Sequence, residues 1–228
     1  QYNDDGTVRE IRKMYDGAPD RVRRAVVKDL DKASFPVKNI VPFIETVHDR
    51  SVVETFRGCT RGCRFCQAGM IYRPVRERKK ETIERLAMAQ LENTGHDELS
   101  LLSLSTSDHS RFEELATELM EMCAGRNVAL SLPSLRMDSF SFKVLDEIQG
   151  YRKSGLTFAP EAGSQRLRDI INKNITEEDI FGAVEQAIQL GWEHIKLYFM
   201  AGLPGETYED LAGIGEIARK IMDINYRI

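Results

Sequence analysis

The sequence predicts an α/β protein built on a parallel sheet, and three observations carry this. From residue 52 onward the chain repeats strand, loop and helix five times. The strands are short apolar runs, and the helices carry apolar residues at three- and four-residue spacing. Gly, Pro, Asn or Asp punctuates the connections. Alternation of this kind implies parallel strands joined by right-handed crossovers. In barrels so built, the chemistry sits at the C-terminal ends of the strands.

The elements follow in order. Residues 1–50 read as an N-terminal linker or extension, and 51–228 as a core barrel. Within the extension, Asp4-Asp5-Gly6 is a hairpin signal. Residues 20–32 read as a short polar helix, and Pro36 and Pro42 mark a linker. Val52 to Phe56 is the first strand. Residues 82–94 form a helix with Ile83, Leu86 and Leu91 inward and Gly95 as its stop. Leu99 to Leu104 is the second strand. The helix over 111–123 buries Phe112, Leu115, Leu119 and Met122. Val128 to Leu132 is the third strand, and a helix follows over 139–149. Leu156 to Ala159 is the fourth strand, with a short helix at 164–172. Thr176-Glu177-Glu178-Asp179 resembles a capping box and opens a longer helix that ends at Gly191. Ile195 to Met200 is the fifth strand. The last helix is capped near Thr207, with Leu211, Ile214 and Ala218 inward. A sixth strand would begin where the chain ends, so the chain reads as a piece of a longer protein.

A chain of 228 residues suits one large domain, and an apolar fraction of 42% supports a sizeable core. The formal charge of −4 gives no global basic field for nucleic acid. No apolar run reaches membrane-spanning length, and no signal peptide opens the chain, so no membrane partner is expected. Four cysteines without a secretory signal are not a disulfide framework and fit a reducing cytoplasm.

The first strand delivers the stretch on which the chemistry turns, Cys59-Thr60-Arg61-Gly62-Cys63-Arg64-Phe65-Cys66. Thiolates at this spacing can turn onto one inorganic centre. A four-iron cluster normally takes four cysteines, so three would leave one iron open. Gly58 and Gly62 allow a tight loop. Zinc is the competing reading, with His48 or a distant residue as fourth ligand, but a second CxxC-like pair is missing. Cys123, at the end of a helix, reads as a small core residue.

The CxxxCxΦC pattern, with Phe65 before the third cysteine, resembles the radical S-adenosylmethionine (SAM) superfamily. The resemblance implies a partial (β/α)6 TIM-like barrel, truncated near the sixth strand. It also implies a [4Fe–4S] cluster on Cys59, Cys63 and Cys66, with SAM on the open iron. Reductive cleavage would give methionine and a 5′-deoxyadenosyl radical, and a flavodoxin- or ferredoxin-type reductant would supply the electron. The wording of Arg57 through Arg78, with Ala159-Pro160-Glu161-Ala162-Gly163-Ser164, resembles a family whose members often carry a cobalamin-binding-like domain before the barrel. Cobalamin would enter only through such a domain.

The other strand ends should present polar groups to SAM. Ser105 opens Ser105-Thr106-Ser107-Asp108, where relatives hold the SAM amino group. Its bland alternative is a helix cap by Ser107 or Asp108. Ser134, in Ser131-Leu132-Pro133-Ser134-Leu135-Arg136, would face the ribose, and Arg136 would pair with a carboxylate or with substrate, against an ordinary surface salt bridge. Glu161 is placed to accept from ribose hydroxyls, against charge complementation of the next helix. Lys173, in Asn172-Lys173-Asn174, resembles the basic residue that meets the SAM carboxylate, against an ordinary solvated lysine. Gly202-Leu203-Pro204-Gly205-Glu206-Thr207 resembles a motif shared by methylthiotransferases and cobalamin-associated members. The basic run Arg73 to Lys80 offers an RNA contact or a solvated loop. A methylthiotransferase-like modifier of RNA or protein is thus one alternative function. A non-catalytic iron–sulfur or zinc protein that binds a partner is the other.

Overall fold

The structure is a computed structural model and describes residues 1–44, 46–133, 135–138 and 156–227. Strand β1 (Ser51–Glu54) leads to β2 (Phe56–Arg57), α1 (Gln67–Ile71), β3 (Arg76–Glu77) and α2 (Lys80–Thr94). Then come β4 (Glu98–Leu102), a 3₁₀ turn at Thr106–Asp108, α3 (Phe112–Ala124) and β5 (Ala129–Ser131). After the undescribed stretch come β6 (Leu156–Glu161), α4 (Gln165–Ile170), α5 (Glu177–Gln189), β7 (Ile195–Phe199) and α6 (Tyr208–Asn225). The helix expected over 139–149 lies outside the described residues.

The pairing is parallel, as the alternation requires. Strands β1, β4 and β5 form one sheet in that order, with Val53 opposite Leu101 and Leu99 opposite Leu130. Strands β6 and β7 form a second parallel pair. Alternate residues of β1 and β4 point at the helices. Val53, Leu99 and Leu101 are completely buried against Ile83, Leu86 and Leu115 of α2 and α3. Each such side chain contributes about 1.5–3 kcal/mol by leaving water. A second core packs Phe158 against Ile180, Val184, Trp192 and Ile217 from the α5–α6 side. Leu130 and Leu132 touch both cores.

The helix signals hold. Gly95 closes α2 in the left-handed conformation at φ 72°. Thr176 and Asp179 form a reciprocal capping box on α5, and Thr207 and Asp210 form one on α6. The buried face of α6 differs from expectation. Ile217 is buried and Ile214 half-buried, whereas Leu211 and Ala218 are exposed. Gly163 and Gly213 meet backbone to backbone on this face, and Asp210 turns inward to Ser164 and Arg166. That contact sets the helix's rotation.

Two further expectations are corrected. The first strand does not run unbroken to Phe56. After Glu54 the chain leaves the sheet, and β2 pairs antiparallel with β3, Phe56 opposite Glu77 and Arg57 opposite Arg76. Residues 58–75 are thereby closed at their base. Residues 20–32 also form no helix. Their carbonyls are satisfied from outside: Arg76 Nη1 donates to Val27 O at 3.1 Å, and Arg78 Nη1 donates to Leu30 O. Leu30 is buried, and Phe35 and Val37 lie on the β1–α2 core, so the segment straps the flank of that core. The Asp-Gly signal forms its turn, with a Tyr2–Val8 bridge and Gly6 at φ 80°. Among the described residues no helix is long and apolar enough to cross a membrane.

Candidate functional site

The cysteine loop lies just past the C-terminal end of β1. Gly58 has φ 95°, and a Cβ there would meet Tyr72 O at 2.8 Å and Pro74 O at 2.9 Å. Only glycine lets the loop's two ends pass this closely. Cys66 N–H donates to Cys63 O at 3.1 Å, and Cys66 Sγ caps α1 by accepting from Gly69 N–H at 3.4 Å. Neither α1 nor the β2–β3 clasp has a signal in the sequence beyond the loop's own glycines.

The loop docks on the turn after α4. Arg64 N–H donates to Ile171 O at 2.9 Å, and Asn172 Nδ2 donates to Gly62 O at 2.9 Å. Asn172 and Asn174 both adopt the left-handed conformation, at φ 55° and 49°, and bracket Lys173. Asn tolerates this region better than most residues, which was the available signal for the turn. Beneath it, fully buried Arg168 donates to Ala162 O at 2.9 Å and Ile175 O at 3.1 Å. That arginine ties the end of β6 to the turn that carries Lys173.

Two residues chosen separately from sequence meet here. Lys173 Nζ donates to Glu161 Oε1 at 3.0 Å, with both side chains largely buried. Lys173 also stands 5.9 Å from the centre of the Phe65 ring. Lys173 is therefore not a solvated lysine. Glu161 holds φ 69° at the end of β6. A non-glycine residue in that region stores strain of about 1–3 kcal/mol, a feature common at ligand sites.

A second charged chain crosses the strand ends. Arg61 Nε donates to Asp108 Oδ2 at 2.9 Å, and Arg61 Nη1 to Asp138 Oδ2 at 2.8 Å. Arg136 Nε donates to Asp138 Oδ1 at 2.8 Å, and its Nη2 reaches Lys173 O at 3.4 Å. Burial pushes the Asp108 carboxyl up, but Arg61, Ser105 and Arg136 outweigh it, and the group sits below its ordinary value. Neither Ser107 nor Asp108 caps α3: Asp108 serves Arg61, and Ser107 Oγ accepts from Arg136 N–H at 3.2 Å. Arg61 and Asp138 were not singled out by sequence, because only the fold brings them together. Ser105 is buried, and its hydroxyl makes no hydrogen bond of ordinary geometry. Ser134 lies outside the described residues.

The donor set fits an iron–sulfur cluster better than zinc. All three cysteines are free and half-buried. Burial pushes the Cys63 thiol up, while the charges of Lys173 and Arg136 pull it down. Cations so placed would offset the charge of three thiolates. A structural zinc site takes four ligands, and His48, the nearest histidine in sequence and the candidate for the fourth, bonds Arg50 at the opposite end of β1. In a four-iron cube each thiolate takes its own iron, and three thiolates leave one iron open. Cys123 is buried in the α3 core, where burial pushes its thiol up to about 11. It is no ligand.

The basic run is partly used internally. Arg73 bonds Gly69 O, Arg76 bonds three backbone carbonyls, and Arg78 and Lys80 are buried. Arg73 and Lys79 stay exposed.

Comparison with known proteins completes the picture. Residues 53–217 match the Radical SAM superfamily. The chain is 35% identical over 202 residues to the uncharacterized protein MJ0966 of Methanocaldococcus jannaschii, covering 89% of this chain and 44% of that protein. It is 26% identical over 209 residues to the uncharacterized methyltransferase PH0819 of Pyrococcus horikoshii, again covering 89% and 44%. The chain thus spans less than half the length of these relatives. Its fold resembles the radical SAM methyltransferase TsrM of Kitasatospora setae, solved with cobalamin and a [4Fe–4S] cluster bound. The TM-score is 0.62 at 14% identity, over 75% of this chain and 34% of TsrM.

Proposed function

This chain belongs to the radical SAM superfamily, a family of enzymes that use a [4Fe–4S] cluster and SAM, and we propose that it is the SAM-cleaving core of a larger enzyme. Cys59, Cys63 and Cys66 would hold the cluster. When bound, the cluster supplies the electron that cleaves SAM to methionine and a 5′-deoxyadenosyl radical. The observation that carries this reading is the placement of the three free thiols beside the Lys173–Glu161 pair and the Phe65 ring.

The chain's own residues would do the positioning. Lys173 offers its ammonium to the SAM carboxylate, and Glu161 accepts from the ribose hydroxyls. Ser105 supplies a hydroxyl near the amino group, and Ser134 is assigned to the ribose by its place after β5. Phe65 shields one side of the loop. The parallel strands are read as a partial (β/α)6 barrel, with 51–228 as the core and 1–50 as its extension. A flavodoxin- or ferredoxin-type protein would deliver the electron in a reducing cytoplasm. TsrM holds cobalamin; here it would be bound by a domain outside these residues. Methyl transfer is the favoured reaction, supported by the similarity to the uncharacterized methyltransferase PH0819, with methylthiolation of RNA or protein as the alternative.

The test is anaerobic. The protein is reconstituted with iron and sulfide, given dithionite and SAM, and assayed for 5′-deoxyadenosine beside Cys63→Ala. Product in the wild type alone is expected. A full cluster without product, or zinc in place of iron, would overturn the reading.

A further inference from the structure

Beside the cysteine loop lies a cavity of about 510 Å³. Its wall includes Gly58, the residue before Cys59, and it runs between the strap at 24–27 and the ends of β1 and β4. The volume falls in the range of small-molecule sites, about 300–1,000 Å³.

The lining has two characters. Val27, Tyr72, Leu102 and Leu104 give it an apolar wall, yet each is 42% exposed or more. Large apolar side chains gathered in one concavity and left in water mark a place that something covers. The charged residues are three arginines and one carboxylate: Arg24, Arg57, Arg76 and Glu54. Arg57 and Glu54 neutralise each other through bonds of 2.7 and 3.0 Å.

Arg24 and Arg76 are different. Arg76 donates only to backbone carbonyls, those of Val27, Tyr72 and Pro74. Arg24 donates to the carbonyl of Arg73. Among the described residues neither guanidinium is paired with a carboxylate. A guanidinium has five N–H donors, so both keep donors after these bonds. The cavity thus combines two uncompensated cations with an apolar wall. Planar guanidinium groups are suited to carboxylate and phosphate.

We propose that this cavity binds the enzyme's substrate and that the substrate is a small amphipathic anion, with an apolar body and a carboxylate or phosphate head. The apolar body lies on Leu102, Leu104 and Tyr72, and the head meets Arg24 and Arg76. The inference deepens the activity assigned above and rests on it for the word substrate. A long nucleic acid fits the cavity poorly, because one side is apolar.

The test uses the whole reconstituted chain, anaerobically, and four probes of one shape: phenylbutyrate, phenylbutyl phosphate, phenylbutanol and phenylbutylamine. Binding is read by calorimetry. At least one anion should bind about tenfold more tightly than the alcohol, the effect of one charge-assisted hydrogen bond. The amine should bind most weakly. The tighter anion identifies the head group. Arg24→Gln should erase most of the anion preference. Leu102→Asp, at an exposed position, should abolish binding of both anions. Equal binding of all four probes, binding unchanged in both variants, or no binding at millimolar concentration overturns the proposal. 5′-Deoxyadenosine is measured in the same preparation. Cleavage without anion binding removes this site and leaves the activity. Anion binding without cleavage leaves the site and removes the activity.

Discussion

Lys173 Nζ donates to Glu161 Oε1 at 3.0 Å, across the gap between the turn after α4 and the end of β6. The pair is largely shielded from water. Removing one partner from such a pair strands the other's charge. Lys173→Met should therefore cost about 1–3 kcal/mol of stability, the cost of leaving a largely buried acceptor unsatisfied. The double variant Lys173→Met with Glu161→Gln should recover most of that loss. It should not recover SAM binding, which is expected to fall at least about tenfold in either variant. Chemical denaturation beside equilibrium SAM binding checks both, with iron content unchanged. Recovery of SAM affinity in the double variant would show that Lys173 only serves Glu161.

Asn172 is expected to hold the cluster loop without touching a metal. Its side-chain amide donates to Gly62 O, and its backbone needs positive φ. Asn172→Gly keeps the backbone conformation and deletes the clamp. The expected stability loss is about 1 kcal/mol, one hydrogen bond. The reconstituted protein should lose iron to a chelator several-fold faster than wild type, while Cys123→Ala should not. Equal rates for Asn172→Gly and wild type would remove Asn172 from the site.

Which features could be read beforehand follows from how far each signal reaches along the chain. The cysteine spacing, the glycine stop of α2, the capping box of α5 and the cap of α6 near Thr207 are contained within a few residues, and all were legible. Glu161 and Lys173 were each picked by position, but their pairing was not, because twelve residues and a helix separate them. Arg61, Asp108 and Asp138 join through three different loops, and no local pattern links them. The segment 20–32 misled because its charges suit a helix surface. Its backbone groups are instead met by Arg76 and Arg78, from far along the chain. On α6 the apolar spacing allowed more than one inward face. The close approach of Gly163 to Gly213 chose between them.

Two glycines should respond oppositely to alanine. A Cβ on Gly163 would lie 2.3 Å from Asp210 O and 2.4 Å from Ile214 N, both backbone atoms that cannot swing aside. Gly163→Ala should push α6 off β6 and cost about 3 kcal/mol or more. Gly182 sits inside α5, with nothing within 4 Å of the added Cβ. Gly182→Ala should stabilise by about 0.5–1 kcal/mol through helix propensity. Thermal unfolding of the two variants decides, and a stable Gly163→Ala would refute the close approach of the turn after β6 to α6.

Glu84 on α2 should make stability depend on pH near neutrality. Its Oε1 is buried, lacks a hydrogen bond, and lies 3.7 Å from Lys80 Nζ. Burial first, then the neighbouring Glu118 carboxylate, push the Glu84 carboxyl up to about 7 from its ordinary 4.5. Glu118 is pulled down in turn, by its hydrogen bond with Glu84 and then by Lys80. The proton therefore rests on Glu84. The folded state holds that proton more tightly than the unfolded chain does. Its stabilising effect is complete below about 4.5 and is lost as pH rises to about 7. Glu84→Gln is neutral throughout and escapes the loss. The variant should exceed wild type by about 1–2 kcal/mol near pH 8, after allowing for screening at a partly exposed side chain. The advantage should shrink steadily on titration toward pH 5, followed by denaturation of the metal-free protein. A difference that stays constant across that window would mean that Glu84 is already ionised, and that Lys80 rather than a shared proton holds Glu84 and Glu118 together.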